Sequence, residues 1–226
     1  MAELSHRLDW FTESTIRKMT RIATEYNAIN LSQGFPDFDP PKEILDELAR
    51  AAKEGPHQYS ITWGAQDFRE ALAKKQEHFT GLEIDPNENI VVTCGSTEAM
   101  MVAMMSICDV GDKVAIFSPF YENYAADTIL SGSEPIYIPL NPPEFKVDLE
   151  KLEDAFKAGA KALILCNPSN PIGKVFTKEE LLSIASLVEK YDAFVITDEV
   201  YEHIVYEPYN HIYFSSLPGM FKRTIS

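Results

Sequence analysis

Short apolar runs at 114–117 (VAIF), 162–166 (ALILC) and 193–197 (AFVIT) constrain this chain more than any other feature. They are aliphatic or aromatic almost throughout, without polar alternation, as in a strand covered on both faces. Runs at 90–94 (IVVTC) and 135–138 (PIYI) complete a set of five. Helix-length segments lie at 97–108, 120–131, 148–158 and 178–191, and Thr177 with Glu180 forms a capping-box signature for the last. Strands alternating with helices predict an α/β fold: a three-layer αβα domain with a mainly parallel sheet. Thr224-Ile225-Ser226 reads as part of a further strand.

Upstream, residues 14–26 read as an amphipathic helix with Ile16, Met19, Ile22, Ala23 and Tyr26 on one face. A loop punctuated by Gly34, Pro36 and Pro40 follows. Pro41 opens a second helix, with apolar Ile44, Leu45, Leu48 and Ala52, that Gly55-Pro56 ends. A third covers 66–80, with Phe68, Ala71, Leu72 and Phe79 inward and Gly81 closing it. The expected division is an N-terminal arm and part of a small domain over 1–45, then a large domain over 46–226.

Twenty basic against thirty-five acidic residues give a net charge of −15. Such a balance argues against nucleic acid or an anionic membrane as the main partner. No apolar run approaches membrane-spanning length. Cys94, Cys108 and Cys166 show no CxxC spacing. Cys94 and Cys166 each end an apolar run, which suits buried thiols in a reducing compartment. With no secretory signal pattern, a cytoplasmic location is expected.

Four strand ends carry polar chemistry. The run 90–94 leads into Gly95-Ser96-Thr97 and a helix, where unpaired N–H groups and hydroxyls suit a phosphate. A plain helix cap reads the same way. No GxxxxGK[ST] or GxGxxG pattern is present, so a nucleotide is not indicated. Tyr121 follows the second run, placed either to stack on a flat ring or to pack in the core. Asn170 sits in a double Asn-Pro loop after 162–166, able to give a directed hydrogen bond or to close an Asx-turn. Asp198 and Glu199 end the run 193–197, with Tyr201 three residues beyond Asp198. Carboxylates there suit a ligand, a metal or a solvated turn. His203 alone is more often structural than a ligand. Parallel strands bring these ends to one edge, where the groups suit a phosphorylated, nitrogen-containing aromatic ring.

In this order the motifs carry a resemblance. INLSQGFPDFDPP (29–41), HQYSITWGAQDFREALA (57–73), NPSNPIG (167–173) and TDEVYEH (197–203) resemble the pyridoxal-phosphate-dependent class I/II aminotransferases of fold type I. The first two are most similar to the kynurenine/methionine branch. The resemblance implies that Asp198 pairs with the pyridine nitrogen of pyridoxal 5′-phosphate and holds it protonated. It implies that Tyr201 and Asn170 bond the ring's phenolic oxygen, that Tyr121 stacks on the ring, and that Ser96 and Thr97 hold the phosphate. Tyr59 would reach the phosphate of a neighbouring subunit, making a homodimer the expected form. Gly34 and Asn170 would approach the carboxylate of an amino-acid or 2-oxo-acid substrate, with Trp10 or Phe35 near its side chain.

The family's Schiff-base lysine follows a Ser-x-x-Lys run beyond the last strand here, and the 226 residues contain no such run there. Lys222 precedes that strand and is a poor substitute. No catalytic residue is assigned, and the chain is expected to be cut short before the lysine. The implied function is transfer of an amino group from an aromatic, kynurenine or methionine-like donor to a 2-oxo acid. The alternatives are a carbon–sulfur β-lyase on the same fold and a non-catalytic cofactor-fold fragment.

Overall fold

The computed structural model describes residues 3–10, 13–34 and 36–226. The chain divides into two compact units, Met1–Thr62 and Trp63–Ser226. The first contains a 3₁₀ turn, His6–Trp10, and helices α1 (Thr15–Glu25) and α2 (Lys42–Glu54). Ser14 caps α1, its hydroxyl accepting from the Arg17 N–H at 3.3 Å. Both helices are amphipathic, yet neither holds a buried residue. Ile44, Leu45 and Leu48 stand exposed.

The second unit opens with α3 (Gln66–Thr80) and α4 (Gly95–Ile107). Strand and helix then alternate: β1 (Lys113–Ser118), α5 (Asn123–Leu130), β2 (Glu134–Pro139), α6 (Leu149–Lys157), β3 (Ala160–Cys166), α7 (Lys178–Lys190) and β4 (Phe194–Asp198). A two-residue β5, Thr224–Ile225, follows. The sheet runs in the order β2-β1-β3-β4-β5, every pair parallel. The order reverses between β1 and β3, the kind of point at which open α/β sheets bind ligands.

Successive strand residues face opposite layers. Phe117, Leu165 and Val195 point to one side and pack with Leu152 and Phe156 of α6 and Leu181, Ile184 and Val188 of α7. Ile116, Ile164 and Ile196 point to the other and pack with Met100 and Met104 of α4 and Tyr124 of α5. These side chains are nearly all fully buried, each contributing about 1.5–3 kcal/mol by leaving water. The result is the expected three-layer αβα arrangement. Thr177 and Glu180 form the full capping box of α7, with side chain and backbone bonded in both directions.

Two expectations are corrected. Residues 90–94 are not a strand. The segment runs into α4 with a long-range backbone bond, Val92 N–H to Trp63 C=O at 2.9 Å. β-branched composition favours extension, but a strand needs a ladder partner. Here Ile90 and Val91 instead border a cavity whose far wall includes Ile196 and Ile225. Gly64, at φ +104°, lies so close that a Cβ there would come within 2.4 Å of Val92 Cγ2. Cys94 is accordingly exposed rather than buried, while Cys108 and Cys166 are buried free thiols.

The second correction concerns α3. Phe68 and Phe79 are about half exposed, and the buried positions are Arg69 and Ala73. Arg69 faces inward because its guanidinium has acceptors waiting. It donates to Gly64 C=O at 3.1 Å, to Asn87 Oδ1 at 3.2 Å and to Pro86 C=O.

Candidate active site

A cavity of about 480 Å³ lies at the C-terminal ends of β4 and β5, walled by α3, α4, α5 and the segment 90–91. Ser96, Thr97, Tyr121 and Asp198 all line it. The structure thus brings together four of the residues singled out in the sequence, from three separate strand or segment ends. Ser96 and Thr97 lie inside the first turn of α4 rather than before it. Gly95 takes φ +83° at the turn, a conformation that favours glycine. The Thr97 hydroxyl accepts from Asn123 Nδ2 at 3.4 Å. The Cys94 N–H donates to the Glu98 carboxylate.

Asp198 is held on three sides. Its backbone carbonyl accepts from Asn167 N–H at 3.0 Å. Oδ1 accepts from Val200 N–H at 3.2 Å, and Oδ2 accepts from the Tyr124 hydroxyl at 2.6 Å. Cys166 is its register partner on β3. Burial, then the neighbouring Cys166 and Asp198, push the Tyr124 phenol well above its usual range. Burial likewise raises the Cys166 thiol. Both groups are therefore protonated donors at neutral pH, which leaves Asp198 as the acceptor.

Glu199 also borders the cavity but has other partners. It accepts from Phe214 N–H at 3.4 Å and lies 3.4 Å from His211 Nε2. The two adjacent carboxylates thus have different partners. Among the described residues, no group of three or more His, Cys, Asp or Glu is arranged to hold a metal ion.

Asn170 and Tyr201 lie outside this cavity wall. Asn170 borders a narrow crevice on the other side of Tyr124, with Cys166 and Phe176. The rigid part of its loop is Asn167, fully buried, which accepts from Phe176 N–H at 3.1 Å and donates to Ile212 C=O at 3.5 Å. Tyr201 is exposed in the turn after β4. Gly34 sits in an exposed loop of the first unit, where Tyr59 is fully exposed and Trp10 largely so. Phe35 falls outside the described residues.

Sequence reasoning missed Tyr124. A signal existed: it lies one helical turn beyond Tyr121, so both rings can face the same layer. A buried tyrosine also needs a partner for its hydroxyl.

Asp127, one turn further along α5, also lines the cavity. It is buried, and its Oδ2 has no hydrogen-bond partner. Burial pushes its pKa up to about 6 from 3.8. As pH rises from about 4 to 6 the unfolded chain releases this proton before the native one does, so folding stability falls across that window. Two pKa units correspond to about 3 kcal/mol. The stability of Asp127→Asn minus that of the natural chain should therefore grow by about 2.4 kcal/mol between pH 4 and pH 7. Urea unfolding at both pH values reads this directly. A difference that does not change with pH would contradict it.

The family model for aminotransferase class I and II matches residues 26–219. The chain belongs to that family. Human kynurenine–oxoglutarate transaminase 1 is 36% identical over 98% of the chain and 56% of its own length. An aspartate aminotransferase of Pyrococcus abyssi is 36% identical over 99% of the chain and 58% of its own length. Among solved structures, N-succinyldiaminopimelate aminotransferase of Mycobacterium tuberculosis superposes with a TM-score of 0.93 at 34% identity, over 99% of this chain and 58% of that one. Escherichia coli YbdL, described with a methionine aminotransferase function, gives 0.93 at 33% identity, over 99% and 59%. The fold is thus that of the fold-type I aminotransferases. This class I and II aminotransferase chain spans about half the length of the relatives it matches. Class I and II aminotransferases use pyridoxal 5′-phosphate.

Proposed function

We propose that this chain forms the cofactor-holding part of an aminotransferase that moves an amino group from an amino acid to a 2-oxo acid with pyridoxal 5′-phosphate. The observation that carries the reading is Asp198. It is a carboxylate fixed by Tyr124 and Val200 at a strand end and borders a cavity that Ser96, Thr97 and Tyr121 also line. The donor set fits the cofactor: hydroxyls at a helix start for the phosphate, an aromatic face for the ring, and a carboxylate for a protonated pyridine nitrogen.

When bound, the cofactor supplies an electron sink for the substrate carbon that loses its proton. The chain's own residues bind and orient. Asp198 would hold a proton on the ring nitrogen, since a neighbouring carboxylate favours the cation. Tyr121 packs against the ring, and the first turn of α4 takes the phosphate. Asn170 and Tyr201 are assigned to the phenolic oxygen, Gly34 with Asn170 to the substrate carboxylate, and Tyr59 to the phosphate of a second subunit in a homodimer. Residues 1–45 are assigned to a smaller domain and 46–226 to the large one.

The donor is proposed to be aromatic, kynurenine or methionine-like, supported by the names of the kynurenine and methionine relatives. The relatives compared above are aminotransferases, which gives the β-lyase alternative no support. A reducing, cytoplasmic setting is proposed, supported by free Cys94, Cys108 and Cys166. Among the described residues, no helix is long and apolar enough to cross a membrane.

The test uses pyridoxamine 5′-phosphate, which needs no lysine for binding. Titrated into the 226-residue chain and followed by calorimetry, it should bind saturably at one site, with inorganic phosphate competing. Absence of saturable binding up to millimolar ligand would overturn the reading.

A further inference from the structure

We infer that Tyr124 is a positioning residue for Asp198, setting the carboxylate's orientation toward the ring nitrogen; the inference rests on the cofactor reading above. Tyr124 comes from α5, whereas Asp198 ends β4, and the 2.6 Å hydrogen bond joins helix layer to sheet. The tyrosine ring is buried at 3% exposure, so its orientation is set by packing rather than by solvent. Met100, Ile116, Ile164 and Cys166 belong to the same buried cluster.

The contact is directional. A buried phenol is a single donor, and Asp198 Oδ2 is its acceptor. Val200 N–H takes Oδ1, so each carboxylate oxygen has one protein donor and retains a lone pair for a ligand. Without Tyr124, one backbone N–H at 3.2 Å remains, and the carboxylate can turn about its Cβ–Cγ bond. Tyr124 also meets Tyr121 edge-on, with ring centroids 5.8 Å apart and planes at 77°. One side chain thus braces both the group assigned to the ring's face and the group assigned to its nitrogen. Cys166 lies against the same assembly but sends its thiol to Pro168 C=O at 3.3 Å. The hydroxyl of Tyr124 is therefore the side-chain contact that positions the carboxylate.

The experiment compares two ligands, pyridoxamine 5′-phosphate and its 1-deaza analogue, in which C–H replaces the ring nitrogen. The natural chain should prefer the nitrogen ligand. Tyr124→Phe keeps the ring and removes only the hydroxyl. It should narrow that preference about tenfold, the scale of a hydrogen bond to a charged group. Affinity for the deaza analogue should stay within about twofold. In an Asp198→Ala background, Tyr124→Phe should leave the ratio of the two affinities unchanged. A structural role alone would weaken both ligands together, and that result, or an unaltered preference in Tyr124→Phe, would overturn the inference. Failure of the natural chain to bind either ligand would overturn the cofactor reading as well. Binding both ligands equally would remove the role of Asp198 on which positioning depends.

Discussion

Asp198→Ala should weaken pyridoxamine 5′-phosphate binding by about 10- to 100-fold. A charge-assisted hydrogen bond contributes about 1.5–3 kcal/mol, and each 1.4 kcal/mol is a factor of ten in affinity. The alanine variant also leaves the buried Tyr124 hydroxyl without its acceptor, at a stability cost of about 1–3 kcal/mol. Asp198→Asn separates the two effects. The amide oxygen can keep the Val200 N–H while the amide nitrogen donates to the Tyr124 hydroxyl oxygen, but a neutral amide cannot favour a ring cation. The asparagine variant should unfold within about 1 kcal/mol of the natural chain while losing most of the affinity that alanine loses. Calorimetric titration alongside thermal unfolding distinguishes these outcomes. If both variants bind the ligand as tightly as the natural chain, Asp198 does not meet the ring.

The largest effect on folding is expected at Arg69. Its guanidinium is buried and serves Gly64 C=O, Pro86 C=O and Asn87 Oδ1 together. Arg69→Met keeps the aliphatic stem and strands the Gly64 and Pro86 carbonyls. Each lost charge-assisted bond is worth about 1.5–3 kcal/mol, so a loss of about 3 kcal/mol or more is expected. For a chain of this size that lowers Tm by about 6–12 °C. Arg69→Lys should recover only part, because one ammonium cannot reproduce the planar fork. The amide of Val92, bonded to Trp63 C=O beside Gly64, should exchange faster with solvent in the methionine variant. A midpoint within about 2 °C of the natural chain would show that the surrounding turn reorganises around the loss.

Arg69 also shows where sequence reading stopped. Its arginine was invisible as a core position, because periodicity scores apolar residues and two of its three partners lie on a turn seventeen and eighteen residues away. The strands 113–118, 160–166 and 194–198 were legible, since residues covered on both faces must be apolar without alternation. The run IVVTC carries the same composition yet forms no ladder, because pairing is decided by neighbours and not by the run itself. At the cavity, Ser96, Thr97, Tyr121 and Asp198 were recognisable from their place after apolar runs. Tyr124 was hidden inside a helix, where a tyrosine reads first as core. Its meaning came only from the hydroxyl's 2.6 Å contact across the layer boundary.

The two-faced sheet has a consequence for how such a chain can change. The layer of α6 and α7 contributes no residue to the cavity wall, which draws on α3, α4, α5 and the strand ends. Leu152, Phe156, Ile184 and Val188 can therefore be repacked for durability with little direct effect on what the opposite side holds. Substitutions at Met100, Ile116 or Ile196 press on the layer that holds Tyr124. Directed evolution of heat tolerance and of ligand preference can accordingly draw on separate libraries, one for each side of the same five strands.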